Sequence, residues 1–238
     1  MAELPGTLYL VPNLLGTVPP ARVLPAHTID VARALTNWIV ETPKAARAFL
    51  KTLDVARPIA ELSITALDAA PASGAREKLL APLRSGVDSG LLSDAGCPGV
   101  ADPGATLVAA AHAAKVRVVP LVGPSALLLA LMASGFNGQR FAFHGYLPVK
   151  PDARDRALRA LEQSSRAETR TELFIETPYR NAAMLRAIAA ALNPRTQVCI
   201  AADLTLPGET IERRTAAAWR DQDPARFDRR PAIFLLQA

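Results

Sequence analysis

The chain has 238 residues, half of them hydrophobic, with 27 Lys and Arg against 22 Asp and Glu. That length supports one large or two modest domains with real cores, and the apolar share excludes wholesale disorder. Cys97 and Cys199 fall in no metal-ligand spacing and offer no disulfide framework, so neither a zinc-organised nor a cystine-stapled fold is expected, and a reducing cytoplasmic setting is.

The positive excess is uneven. Basic residues outnumber acidic ones by 11 to 10 up to Pro120 and by 16 to 12 after it, so a polyanionic partner is expected to touch the second half. The opening MAELPG carries an acid and a proline where a signal peptide needs positive charge and then an apolar core, so no export is expected. Residues 118–137 are free of charge, but Pro120, Gly123, Pro124 and Gly135 interrupt them. They read as a strand, a turn and a buried helix rather than a membrane span.

In chain order, the first half alternates short apolar runs with helical spacing. Strands are predicted at 7–11, 38–41, 59–65, 89–93 and 116–120, with helices at 44–53, 75–85 and 105–114. This is the grammar of βα repeats around a mostly parallel sheet. From Phe141 the strands (141–145, 173–176, 197–201, 209–214 and 232–236) follow one another with less helix between them, which predicts a mixed sheet. Helices are predicted there at 152–163, 180–192 and 216–220. The boundary is placed at Gly123, giving an N-terminal α/β domain over 1–123 and a C-terminal one over 124–238, with 124–134 as the second domain's first helix. A ligand cleft is expected between two such domains.

The densest signal is LLSDAGCPGVADPG at 91–104. Leu91 and Leu92 read as a strand end, and three glycines with two prolines then force a sharp turn. Asp94 falls at the carboxyl end of the strand, where α/β sheets bind ligands. Asp102 and Pro103 read as the N-cap and first position of a helix starting near Gly104. VPNLLGT after the first strand is a second turn at the same edge, and it is neither a GxGxxG fingerprint nor a P-loop.

Read with VRVVPLVGPSALLLAL and QRFAFHGYLPVK, the 91–104 loop resembles the tetrapyrrole methylase superfamily, most closely its ribosomal RNA small-subunit methyltransferase I branch. Weaker likeness runs through GTLYLVP at 6–12, LFIETPYR at 173–180 and ADLTLPGETI at 202–211. The resemblance implies two α/β domains around a cofactor cleft, S-adenosylmethionine as methyl donor, no metal, a homodimer, and ribosomal RNA as acceptor at a ribose 2′-hydroxyl.

It also implies a cofactor set: Pro12, Ser93, Asp94, Ala95, Gly96, Val100, Asp102, Ser125, Ala126, Glu176 and Leu204. A ribose hydroxyl is a poor nucleophile, so a base is expected among Glu176, Asp94 and His144. Lys150 and Arg180, and more weakly Arg140, are phosphate candidates, and Tyr146 and Tyr179 are candidates to stack on a base.

Three motifs depart from the family pattern. The first loop is PNLLGTVPPARV, where the family has PTPIGNL. Glu41, Thr42, Pro43 and Lys44 stand where it has EDTR, and Arg230, Pro231 and Ala232 replace its KGE. These departures leave open a tetrapyrrole or other small-molecule acceptor, and a cofactor-binding protein without catalysis.

Overall fold

The computed structural model describes residues 5–55, 57–67 and 75–238; residues 1–4, which open the MAELPG stretch, lie outside them. The chain divides into two compact units, the first ending at Ser125 and the second running from Ala126 to Ala238.

The first unit contains β1 (Thr7–Val11), α1 (Ala26–Ala34), β2 (Asn37–Val40), α2 (Pro43–Thr52), β3 (Ser63–Ala66), α3 (Ala75–Arg84), β4 (Ser89–Leu92), α4 (Ala105–Ala113) and β5 (Arg117–Pro120). Its strands lie in the order β3-β2-β4-β1-β5, every pairing parallel. Parallel strands buried on both faces read as continuous apolar runs rather than alternations. Both β2 and β4 are buried along their whole length. One face packs Trp38, Val40 and Leu92 with Phe49 and Leu50 of α2. The other packs Leu8, Ile39 and Leu91 with Leu79 and Leu80 of α3 and Leu107 of α4. Gly90 makes room for this packing, because a Cβ there would lie 2.7 Å from the Trp38 ring.

The strand expected over 59–65 is shorter, and α1 stands where no element is expected from sequence. Residues 59–61 form a 3-10 turn opened by Pro58, with the Glu61 N–H donated to the Pro58 carbonyl at 2.9 Å, so β3 starts only at Ser63. α1 carries no strong apolar stripe, burying only Thr28 and Ala32, and the hydrophobic pattern missed it.

In the second unit α5 (Ala126–Ser134), β6 (Phe141–Tyr146), α6 (Pro151–Glu168), β7 (Thr171–Ile175), α7 (Asn181–Ala191), β8 (Gln197–Ala202), β9 (Thr210–Thr215), α8 (Ala216–Trp219) and β10 (Ala232–Gln237) follow in turn. The sheet order is β6-β7-β10-β8-β9. Only β6 and β7 pair in parallel; the other pairings are antiparallel, so the sheet is mixed, as the spacing of the later strands predicts. Phe174 and Phe234 stack 5.5 Å apart at the centre of a core that continues through Leu158 of α6, Leu185 and Ile188 of α7, and Trp219. Among the described residues no helix is long and apolar enough to cross a membrane.

Candidate active site

In the first unit, the connections after β1 and β2 carry the chain toward the β3 edge, and those after β3 and β4 carry it back toward β5. The direction reverses on both sides of β4, against β1 and against β2, and the crevice between β1 and β4 is a switch point of the kind where open α/β sheets bind ligands. The loops that the sequence singled out, after Pro12 and after Leu92, are the two that leave this point.

Asn13 joins them. Its side-chain amide donates to the carbonyls of Ser93 at 2.9 Å and Asp94 at 3.0 Å, and its backbone N–H donates to the Gly96 carbonyl at 2.8 Å. Its own side-chain oxygen accepts the Leu14 N–H at 2.7 Å. Asn13 is buried, in the turn whose sequence departs from the family pattern. Gly96 closes the turn at φ +69°, in the left-handed region that glycine enters without strain.

The loop after β5 meets the same point. The Cys97 thiol donates to the Pro124 carbonyl at 3.5 Å, and burial, then the nearby charge of Asp102, push that thiol above its usual pKa. A Cβ at Gly123 would stand 2.4 Å from that of Pro12, so only glycine allows the β1 and β5 loops to approach so closely. Pro12, Ser93, Gly96 and the stretch ending at Ser125 therefore converge. Asp94 and Ala95 are exposed beside them, and Val100 is about half exposed at 48 %.

The carboxylates are arranged around Asp94. Its N–H donates to Glu41 Oε2 at 3.0 Å, while Oδ1 accepts the Thr42 N–H at 3.1 Å and Oδ2 the Thr42 hydroxyl at 2.7 Å. Thr42 precedes α2 at its N-cap yet makes no side-chain cap bond; its hydroxyl serves Asp94.

Asp102 departs from its expected capping role. α4 starts at Ala105 with Gly104 as N-cap at φ +131°, a backbone conformation that aspartate rarely adopts, so the cap lies two residues beyond Asp102. Burial, then the charges of Glu41 and Asp94, push its carboxyl up to about 6, against a hydrogen bond with Ser93 that lowers it.

In the second unit the carboxyl ends of β6, β7 and β8 share one edge. Buried Glu176 follows β7, and its Oε1 accepts Arg180 Nε at 2.9 Å, Arg180 Nη2 at 2.5 Å and the Thr177 N–H at 2.7 Å. The candidate base and the candidate phosphate ligand are thus each other's partner. His144 is likewise engaged, 2.6 Å from buried Glu172.

Leu204 is buried in the β8–β9 turn, where Asp203 and Thr205 both have positive φ, at 52° and 72°. Arg230 braces that turn through Asp203 Oδ2 at 2.6 Å, the Gly208 carbonyl at 2.7 Å and the Thr210 hydroxyl at 2.9 Å. Lys150, the N-cap of α6, is exposed, and Ala126 opens α5. A cavity of about 330 Å³ lined by Leu185, Arg186, Ala189, Trp219 and Arg220 lies between α7 and α8, away from this edge.

A wholly parallel sheet with a carboxylate-rich loop cluster at its switch point, together with a mixed second sheet, defines a two-unit α/β protein with a candidate ligand site on its loops. The family model of the Tetrapyrrole (Corrin/Porphyrin) Methylases matches residues 34–219. The Ribosomal RNA small subunit methyltransferase I of Xylella fastidiosa (strain Temecula1) is 35 % identical over 218 residues, covering 92 % of this chain and 76 % of that protein. The protein of the same name from Escherichia coli O157:H7 is 34 % identical over 224 residues, covering 93 % and 74 %.

Among solved structures, the methyltransferase CobJ superposes with a TM-score of 0.63 at 19 % identity, over 99 % of this chain and 94 % of its own. The cobalamin biosynthetic enzyme cobalt precorrin-4 methyltransferase, CbiF, does so with a TM-score of 0.62 at 13 % identity, over 97 % and 94 %. At those identities the likeness concerns the fold. The chain belongs to the tetrapyrrole methylase family and is an S-adenosylmethionine-dependent methyltransferase.

Proposed function

We propose that this methyltransferase acts on small-subunit ribosomal RNA, at a ribose 2′-hydroxyl, in the cytoplasm. The observation that carries the reading is the 35 % identity to a small-subunit rRNA methyltransferase across 92 % of the chain. The basic excess of the second half supports a polyanionic acceptor.

The residues of the first unit fit S-adenosylmethionine. The turn at the switch point is held by Asn13 and Glu41, which take up the backbone of Ser93, Asp94 and Gly96 and leave exposed Ala95 at its tip to meet a ligand. When bound, the cofactor supplies an electrophilic methyl group. The protein's work is then to position the acceptor and to take its proton.

Glu176, Asp94 and His144 already hold other partners, in Arg180, Thr42 and Glu172. Asp102 is partly exposed in the same loop cluster, with Ser93 as its neighbour and its carboxyl raised to about 6 by burial and by the charges of Glu41 and Asp94, a range suited to a general base, and we propose it for that role beside the three candidates from sequence.

A homodimer is part of the same proposal. α5 is apolar on all sides, yet leaves Leu128 at 52 % and Met132 at 78 % exposure one turn apart, a pair suited to burial against a second copy.

The test is transfer of labelled methyl from S-adenosylmethionine to undermethylated small ribosomal subunits, with the modified nucleotide identified by mass spectrometry. A 2′-O-methylated nucleotide is the expected product. Labelling of a tetrapyrrole and not of RNA defeats the reading, and light scattering checks the dimer.

A further inference from the structure

Tyr179 is a large aromatic side chain left 72 % exposed at the carboxyl edge of the second sheet. Its ring is not loosely held. The guanidinium carbon of Arg180 lies over it, 5.7 Å from the centroid, and Arg180 is anchored in turn by the buried carboxylate of Glu176. An exposed ring beside a fixed cation is a stacking platform already paid for in side-chain entropy.

Arg229 stands next to this platform. Its backbone N–H donates to the Pro178 carbonyl at 3.0 Å, tying the loop before β10 to the loop that carries Tyr179. Arg229 has φ +59°, in the left-handed region where glycine or asparagine is the ordinary choice. Its neighbours Arg180, Arg226 and Arg230 pair with Glu176, Glu212 and Asp203. Among the described residues, the exposed Arg229 guanidinium makes no ion pair and no hydrogen bond. An exposed guanidinium with no internal partner, on a residue whose backbone φ favours glycine, is available to an external anion.

We propose that Tyr179 and Arg229 form a nucleotide grip, Tyr179 stacking on an unpaired base of the acceptor RNA and Arg229 contacting an adjacent phosphate. The inference rests on the reading that the acceptor is RNA. An exposed aromatic ring and an unpaired cation on two loops joined by a backbone hydrogen bond match the alternation of base and phosphate along a single strand, whereas a paired base offers no free face to Tyr179.

The experiment measures binding of an end-labelled fragment of undermethylated small-subunit rRNA across a salt series, with S-adenosylmethionine affinity determined by calorimetry on the same preparations. Tyr179→Ala is expected to weaken RNA binding about tenfold, and Tyr179→Phe to keep it within about twofold. Arg229→Gly is expected to raise the melting temperature, because glycine relieves the positive φ, while weakening RNA binding and reducing the salt slope by about 0.7. Arg229→Lys keeps the slope.

Cofactor affinity is expected to be unchanged in all four. RNA affinity and salt slope unaltered in Tyr179→Ala and Arg229→Gly overturn the grip while leaving the function standing. A loss of cofactor rather than RNA affinity in Tyr179→Ala also overturns it. No RNA binding by the parent chain defeats the function reading itself.

Discussion

Asp94 holds Thr42 with both carboxylate oxygens, taking its amide N–H at 3.1 Å and its hydroxyl at 2.7 Å. Through this pair the loop after β4 fixes the start of α2, and Glu41 returns the favour by accepting the Asp94 N–H. Asp94→Ala removes both acceptors. Asp94 is exposed, so the stability loss is expected below the usual range for hydrogen bonds to charged groups, about 1 kcal/mol by denaturant titration. The larger effect is on the loop backbone, and calorimetry is expected to show S-adenosylmethionine affinity lowered about tenfold, or about 1.4 kcal/mol.

Asn13 supplies a sharper contrast. Its buried amide donates to two carbonyls, and an aspartate of the same shape has no proton to donate and brings a charge. Asn13→Ala is expected to cost about 1–3 kcal/mol and Asn13→Asp more at neutral pH. Thermal melts at pH 5 and pH 8 check this: the deficit of Asn13→Asp is expected to shrink at low pH, where the carboxyl is protonated and can donate to one carbonyl, and that of Asn13→Ala to stay constant.

Asp102 sets a pH dependence. Its carboxyl lies at about 6 in the folded chain against an ordinary 3.8, so between those values the native state binds more protons than the unfolded one. The contribution to stability is therefore fully favourable below about 3.8 and is lost as pH rises through 6. Each unit of displacement is worth about 1.4 kcal/mol before screening by solvent reduces it at this partly exposed group. Asp102→Asn is expected to melt higher than the parent at pH 7.5, with the gain disappearing near pH 4. In methyl transfer, the same variant is expected to lose the acid limb of kcat/KM near pH 6, which a merely structural Asp102 leaves in place.

Arg180 and Glu176 predict an asymmetry. Arg180→Ala leaves a buried carboxylate without its cation and is expected to destabilise the second unit by about 3–5 kcal/mol. Glu176→Gln leaves behind an arginine that is partly exposed and can reach water, so a smaller loss is expected. Urea titrations of the two variants check the order.

The parallel strands were legible because strands buried on both faces write themselves as apolar runs; 7–11 and 89–93 are read almost to the residue. The loop cluster was legible in outline, since three glycines and two prolines in 91–104 allow no regular element. Its closure was not. Asn13 reaches Ser93 across 80 positions of sequence, and no local pattern encodes such a partner. An Asp-Pro pair before a helix has the local signature of a cap, whereas the positive φ of Gly104 that places the cap there instead is a backbone conformation no local pattern announces. Arg180 and Glu176 are separate functional candidates from sequence, and only the fold shows them engaged with one another.

The position of β10 has a consequence for synthesis. Its residues are the last of the sheet to be made, yet they lie in the middle of it, between β7 and β8. A nascent chain that has left the ribosome only as far as Arg230 holds two half-sheets, β6-β7 and β8-β9, each with an inner edge open where Ala232–Gln237 belongs. The first unit has all five strands by Pro120 and can close its sheet long before. The second waits for a single six-residue strand to join its halves, and until then it is the part of the molecule that needs protection from edge-to-edge pairing.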